Sequence, residues 1–309
     1  MVLNQPDAMR KSYAIIVAMT MIIVGCTQDN GATSPTEETP LVQVTVSLKG
    51  LDISQQDMDD VRSTASEAVR YVAFAVFDSR GSKVVDLTQH IDDEQFGTLS
   101  FSLAVGDYTL VAVGHAGNDS YGGASILSAS QVCLPQPSFR ETFSLTHDLV
   151  LPSVSDTALV LTLPRVSSAL VIQPTEPQPA AVTQLRIILG NPEATVPTTI
   201  TFDPSTGLVP AYTGQTCYSY TRNVIVYQGQ TYPYTFDLLL PAAETWLPLT
   251  VQALDAEGGV LFSRYVSDVP FAQNRQTIAT GDIFSQPSSA SSAILSFDTQ
   301  WQTPNTLNF

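Results

Sequence analysis

The most constraining feature of this chain is a nine-residue stretch, Leu41–Lys49, in which Val42, Val44, Val46 and Leu48 alternate with Gln43, Thr45, Ser47 and Lys49. A period of two gathers the apolar set on one face of an extended strand but scatters it around a helix, so a half-buried β-strand is the conformation that satisfies it. Residues 71–77 are apolar on both faces and end on Asp78-Ser79-Arg80-Gly81, as expected of a central strand entering a hairpin. Further strands are predicted at 83–91, 98–105, 108–114, 139–145, 158–163, 169–173, 184–189, 199–202, 218–227, 232–240, 248–254, 260–265 and 293–301, separated by Gly, Pro, Asn or Asp. The Gly-rich stretch 114–123 reads as a loop. Only the polar, acidic segment 52–69 suits a long loop or one short helix. The chain therefore reads as all-β, with a spacing that suggests two sandwiches. Their boundary is placed near Arg165, giving domains at 41–165 and 166–309, with the Pro-rich run 174–179 as the rival boundary.

Length agrees, since 309 residues at ~150 per domain is a prior of about two. Charged residues make up 14% of the chain against a typical ~25%, so Ser, Thr, Gln and Asn must supply much of the solvated surface. The net charge of −16 argues against an electrostatic grip on nucleic acid or on anionic headgroups.

The N-terminus carries a targeting signal. Arg10 and Lys11 precede an apolar run from Tyr13 to Val24, too short for a comfortable membrane span and followed by Gly25 and Cys26. The end of this segment, Ile23-Val24-Gly25-Cys26, resembles the lipobox of bacterial lipoproteins, in which the chain is cut before the cysteine and the cysteine is acylated. Residues 1–25 are then a lipoprotein signal peptide, with Met9 as an alternative start, and 26–40 a Gly/Pro/Ser/Thr-rich tether. Several acyl chains, palmitate among them, at ~0.8 kcal/mol per buried CH₂ give durable anchoring without a span. Thr27 after the cysteine implies, by the bacterial sorting rule, passage to the outer membrane. An ordinary signal peptide with an incidental cysteine is the competing reading.

Chemistry-bearing constellations are scarce. His90, His115 and His147 are isolated and none sits in a metal-ligand pattern; a ligand role for His115 beside Asp119 is the alternative to reading it as a plain loop residue. No nucleophile elbow, phosphate loop or dinucleotide fingerprint occurs. The acidic clusters at Asp57, Asp59, Asp60 and at Asp92, Asp93, Glu94 lack the ligand spacing and glycine turn of a calcium loop, and read as solvated turns. No metal, cofactor or catalytic residue is expected, and the chain reads as a non-enzyme. Cys133 and Cys217 fall in different domains; export permits a disulfide between them without requiring one.

Several motifs together resemble the FimB/Mfa2 group of fimbrial anchors and subunits from Bacteroidales. They are the strand Val42 to Lys49 closing on Gly50, Val69-Arg70-Tyr71-Val72 with the hairpin at Asp78 to Gly81, and Val105-Gly106-Asp107-Tyr108. Leu163-Pro164-Arg165-Val166, Asn274-Arg275-Gln276-Thr277 and Gly281-Asp282-Ile283-Phe284 follow in order before a last strand containing Trp301. The resemblance implies two tandem transthyretin-like sandwiches and assembly by β-strand exchange with other fimbrial subunits, on an outer-membrane lipid anchor at Cys26. It also implies an Arg-specific cut that frees the first strand in shaft subunits, for which Arg62 and Arg70 are the candidates. Strand-exchange candidates are Val42, Val44, Val46 and Leu48 in the first strand. In the last strand they are Leu295, Phe297 and Trp301, on one face of 293–301; that strand reads equally as a donor and as the closing strand of its own sandwich. The alternative function is a surface lipoprotein that binds glycan or peptide for nutrient capture through Tyr121, Tyr232 or Trp246.

Overall fold

Two sets of seven strands, laid down in the same order, organise the chain. The computed structural model describes residues 40–49, 69–116, 123–135, 141–211, 217–285 and 296–298. In the first set β1 (Leu41–Lys49) lies between β4 (Thr98–Ala104), antiparallel to it, and β9 (Thr157–Thr162), parallel to it. A second sheet runs β3 (Lys83–His90), β2 (Tyr71–Asp78), β5 (Gly106–His115), β8 (Thr142–Leu151), all antiparallel. In the second set β10 (Ser168–Pro174) lies between antiparallel β14 (Tyr234–Leu238) and parallel β17 (Gln276–Gly281). Its companion sheet runs β13 (Tyr218–Asn223), β11 (Gln184–Leu189), β15 (Glu244–Leu254), β16 (Val260–Ala272). Replacing β1, β2, β3, β4, β5, β8 and β9 by β10, β11, β13, β14, β15, β16 and β17 maps one set onto the other, parallel pair included.

Among the described residues, four strands fall outside this repeat. Three of them, β6 (Ser125–Ser128), β7 (Gln131–Pro135) and β12 (Thr199–Phe202), form one sheet in which the β6–β7 hairpin of the first set pairs with β12 of the second. The fourth, β18 (Ser296–Asp298), lies antiparallel on β17. The bridging sheet explains why β2 and β5 are apolar on both faces. Val72, Phe74, Val76, Leu110 and Ala112 bury against β1 and β4, whereas Ala73, Ala75, Phe77, Val111 and Val113 join Ile126, Val132, Leu134, Ile200 and Phe202 in a core that continues into the second set. The described residues form one compact unit.

The all-β expectation holds, and the strands at 41–49, 184–189 and 199–202 have the predicted bounds. Others shift for local reasons. The strand predicted at 218–227 stops at Asn223, whose side-chain oxygen accepts the Ile225 N–H at 3.0 Å and turns the chain into a 3₁₀ turn at Ile225–Tyr227. The strand predicted at 139–145 runs instead from Thr142 to Leu151, and the one at 260–265 extends to Ala272, paired along β15 through a bulge. His115 is not a loop residue; it ends β5 and is buried.

At the junction of the sets, Val166 and Ser167 N–H both bond the Thr142 carbonyl, and Ser144 Oγ donates to the Pro204 carbonyl at 2.9 Å. Gly207 sits at φ +72, and a Cβ there would overlap Val166 and press on Gln273 Nε2, so this position needs glycine twice over. Gln273 in turn donates to the Thr206 carbonyl at 2.6 Å and the Val166 carbonyl at 3.3 Å. The Arg165 guanidinium pairs with Glu141 and lies 5.4 Å from the centre of the Phe143 ring.

Candidate functional site

The alternation that singles out β1 is realised in full. Val42, Val44 and Val46 are buried and Leu48 packs against the same core. At ~1.5–3 kcal/mol for each fully buried side chain, the three valines contribute roughly 5–9 kcal/mol. Because β1 is the central strand, its backbone is bonded on both sides, from Leu41 opposite Ala104 along one edge to Lys49 opposite Thr162 along the other. A first set without β1 would expose two strand edges at once, together with an apolar trough lined by Val72, Phe74, Val76, Leu99, Leu103 and Leu110. That is the physical requirement for accepting a strand in its place.

Of the two arginine candidates, Arg62 lies outside the described residues. Arg70 is exposed, but its backbone is tied at the mouth of β2: its N–H donates to the His115 carbonyl at 3.1 Å and its carbonyl accepts the Ile91 N–H at 2.8 Å. Val69 before it and Val72 after it are buried. Both backbone groups of Arg70 are thus held by the sheet.

Beneath Arg70 the Tyr71 ring stacks on His115 with centroids 5.3 Å apart and meets His90 edge-on at 4.9 Å. His115 Nε2 accepts the Ala124 N–H at 3.1 Å, and burial pushes its pKa down to about 4. A neutral imidazole that accepts at Nε2 fastens the end of β5 to the strand that follows and is a structural group. Asp119 and the cluster Asp57, Asp59, Asp60 lie outside the described residues. Asp92 contacts His90 and Asp93 accepts the His90 N–H at 2.8 Å, which makes the second acidic cluster the cap of a turn.

At the other end of the chain, Phe297 sits opposite Ala279 in the β18–β17 ladder, while Leu295 and Trp301 lie outside the described residues, as does Cys26. The approach to this strand is pinned by Arg264, 7% exposed, whose Nε donates to the Asp282 carbonyl at 3.0 Å and whose Nη2 reaches the Ser285 carbonyl. Glu176 accepts the Phe284 N–H, and Thr175 donates to the Asp282 carboxylate, a bond that lowers the Asp282 pKa. Sequence reasoning missed this arginine clamp. Arg264 occupies an inward position of a strand whose outward neighbours Ser263 and Tyr265 are exposed, but a lone arginine in a polar-apolar run carries no signal of what it will bind.

Cys133 and Cys217 are free thiols, and burial raises the Cys217 pKa. Among the described residues no cluster of His, Cys, Asp and Glu has the arrangement of a metal site, and no helix is long and apolar enough to cross a membrane. Of the aromatics expected at a glycan face, Tyr232 stacks on Tyr227 at 3.7 Å, Trp246 on β15 is 67% exposed, and Tyr121 lies outside the described residues.

Residues 35–163 match the family model of fimbrillin-A associated anchor proteins Mfa1 and Mfa2. Over these residues the chain is Mfa2-like. The match opens just before β1 and closes one residue after β9, so it spans the first seven-strand set with its β6–β7 hairpin. Solved structures similar to the chain include the fimbrial anchor protein Mfa2 from Porphyromonas gingivalis, at 14% identity and a TM-score of 0.46, covering 84% of this chain and 98% of that one. The tip fimbrial protein Mfa3 from the same organism, with a C-terminal truncation, has 14% identity and a TM-score of 0.41, covering 84% of this chain and 100% of the other. No curated protein sequence matches the chain.

Proposed function

We propose that this protein is a non-enzymatic outer-membrane lipoprotein that serves as an anchor or subunit of a cell-surface fimbrium. In this reading residues 1–25 are removed, Cys26 is acylated and holds the protein at the membrane, 26–40 form the tether, and 41–165 and 166–309 are two transthyretin-like domains. Other fimbrial subunits join it by strand exchange, with Val42, Val44, Val46 and Leu48 marking the strand that can be replaced and Leu295, Phe297 and Trp301 the donor face. The observation that carries the reading is that the Mfa2-like segment holds, as its first strand, a buried and doubly paired β1, which residues 50–68 link to β2. With Arg70 tied into the sheet, a cut that freed β1 would fall in that connection, where Arg62 is the candidate.

The test is acyl labelling of the protein in its own cells. Wild-type chain should incorporate fatty acid, fractionate with outer membrane and co-purify with detergent-resistant fimbriae. Cys26→Ala should lose the label and leave the membrane. Membrane retention of the unlabelled variant would defeat the anchor, and absence from purified fimbriae would defeat the assembly role.

A further inference from the structure

The strand registers of the first set bring four exposed aliphatic side chains to one pole. Leu41 opens β1 opposite Ala104, the last residue of β4, and Val105 follows in the turn to β5. β5 opens at Gly106 opposite Leu151, the end of β8; Val150 precedes that residue and Val154 lies in the short connection to β9. Beneath them the core is closed by Val42, Leu103 and Leu151, all buried. Leu41, Val105, Val150 and Val154 are 62%, 41%, 60% and 57% exposed, so they stand outside a core that is already filled. The cations at this pole are engaged, Arg80 of the β2–β3 hairpin with Asp78 and Lys83 with Asp86, and Asp107 and Asp156 are exposed beside the aliphatics. The other connections meet the set at its opposite pole. β1 ends at Lys49 opposite Thr162 and β2 begins at Tyr71 opposite His115, so residues 50–68 leave and re-enter there, and the chain passes to the second set from the same end.

We propose that this pole is a bilayer-contact face, on which Leu41, Val105, Val150 and Val154 enter the interfacial layer of the outer membrane. The inference rests on the lipoprotein reading above and adds to it the face of the protein that meets the lipid. Where the chain enters identifies the occupant. Leu41 is the first residue of β1, and residues 26–40, at ~3.3–3.6 Å each, hold it within about 50 Å of an acylated Cys26. So short a tether keeps the local concentration of lipid high, and a contact too weak to retain a free protein becomes populated. Four aliphatic side chains set among polar turns suit shallow insertion at the headgroup boundary. With its cations paired and its carboxylates exposed, the pole makes an apolar contact that favours zwitterionic over anionic headgroups.

Depth-dependent fluorescence quenching tests it. The chain from residue 26, with Cys26→Ala and a histidine tag in place of residues 1–25, is held on phosphatidylcholine vesicles that carry nickel-chelating lipid and brominated acyl chains. The tag supplies the anchor, so absence of acylation in cells would defeat the lipoprotein reading without touching this result. Tryptophan is added at Val154, or at Val226 on the exposed 3₁₀ turn of the second set as the control. Bromolipid should quench the added Val154→Trp fluorescence roughly threefold or more beyond that of Val226→Trp, because only a side chain at acyl depth meets the bromines. Combining Leu41→Ser, Val105→Ser and Val150→Ser should abolish this quenching while tethering and circular dichroism stay unchanged. Equal quenching at the two positions, or quenching that survives the three serines, would overturn the proposal, since nearness to the vesicle would then account for it. Stronger quenching on phosphatidylglycerol vesicles would overturn the apolar contact. In the untethered chain acrylamide should reach Val154→Trp as fully as Val226→Trp; shielding there would mean that the chain or a second copy covers the pole, and the proposal fails.

Discussion

The two seven-strand sets share a strand order and differ in what is attached to it. The first carries the β6–β7 hairpin between β5 and β8, the second carries β12 between β11 and β13, and these two insertions pair with each other. The additions are therefore what couple the repeats, by putting a second apolar layer over β2 and β5. The edges differ too, since β17 has β18 beside it and β9 has Leu159 and Leu161 half-exposed. A shared strand order thus organises both cores, while the two sets differ in their edges and insertions.

The comparison makes β1 and β10 equivalent central strands, and the largest effect should come from breaking either. Val44→Asp and Leu170→Asp each place an uncompensated carboxylate in a fully buried position, and each should cost more than about 4 kcal/mol. Denaturant unfolding followed by circular dichroism should show both variants losing the native cooperative transition. A Val44→Asp chain as stable as wild type would mean that the first set does not need β1, unlike the second.

Gly207 tests the coupling. Alanine there meets both the left-handed backbone and Val166, and a loss of about 2–4 kcal/mol is expected, with both sets affected because the clash lies at their junction. Separate unfolding transitions in the wild-type chain would show instead that the bridging sheet does not couple the sets.

His115 belongs to the first set alone and should make that set acid-sensitive. Its folded pKa of about 4 lies below the ordinary 6.5, so the unfolded chain binds the proton first as pH falls. Nothing is lost above about pH 6.5; stability then declines until about pH 4, where the accumulated loss reaches roughly 3 kcal/mol and levels off. His115→Gln should flatten this slope at the expense of some stability at neutral pH. A midpoint-versus-pH profile that is unchanged in the variant would rule out His115 as the source.

The smallest effect is expected from removing residues 290–309. Only the three-pair ladder on β17 is lost among the described contacts, so the second set should keep its transition within about 1 kcal/mol while Ile278–Thr280 amides lose protection. Collapse of the second set would make the C-terminal strand part of its core and unavailable for exchange.

Sequence alone determined the elements whose signal is local. The alternation in Leu41–Lys49 places β1 to the residue, because period two must put Val42, Val44 and Val46 on one face, and the two-faced apolar run at 71–77 states that β2 is central. The Gly-rich stretch 114–123 reads as a loop, yet His115 ends β5, is buried and stacks on the same Tyr71 ring that His90 meets edge-on, a gathering the sequence does not announce. The parallel pairing of β1 with β9, more than 100 residues apart, has no local signature, since parallel partners are chosen by how the whole sheet closes. Nor do Ser125–Ser128 and Gln131–Pro135 announce themselves, being four and five residues of mixed polarity that become strands because β12 and the outer faces of β2 and β5 offer them partners. The tertiary structure also decided that Arg70 is tied down and that Arg264 is buried, for each depends on carbonyls brought in from other strands and turns. A sequence records what each strand prefers to bury; which edges remain open is known only once every strand has taken its place.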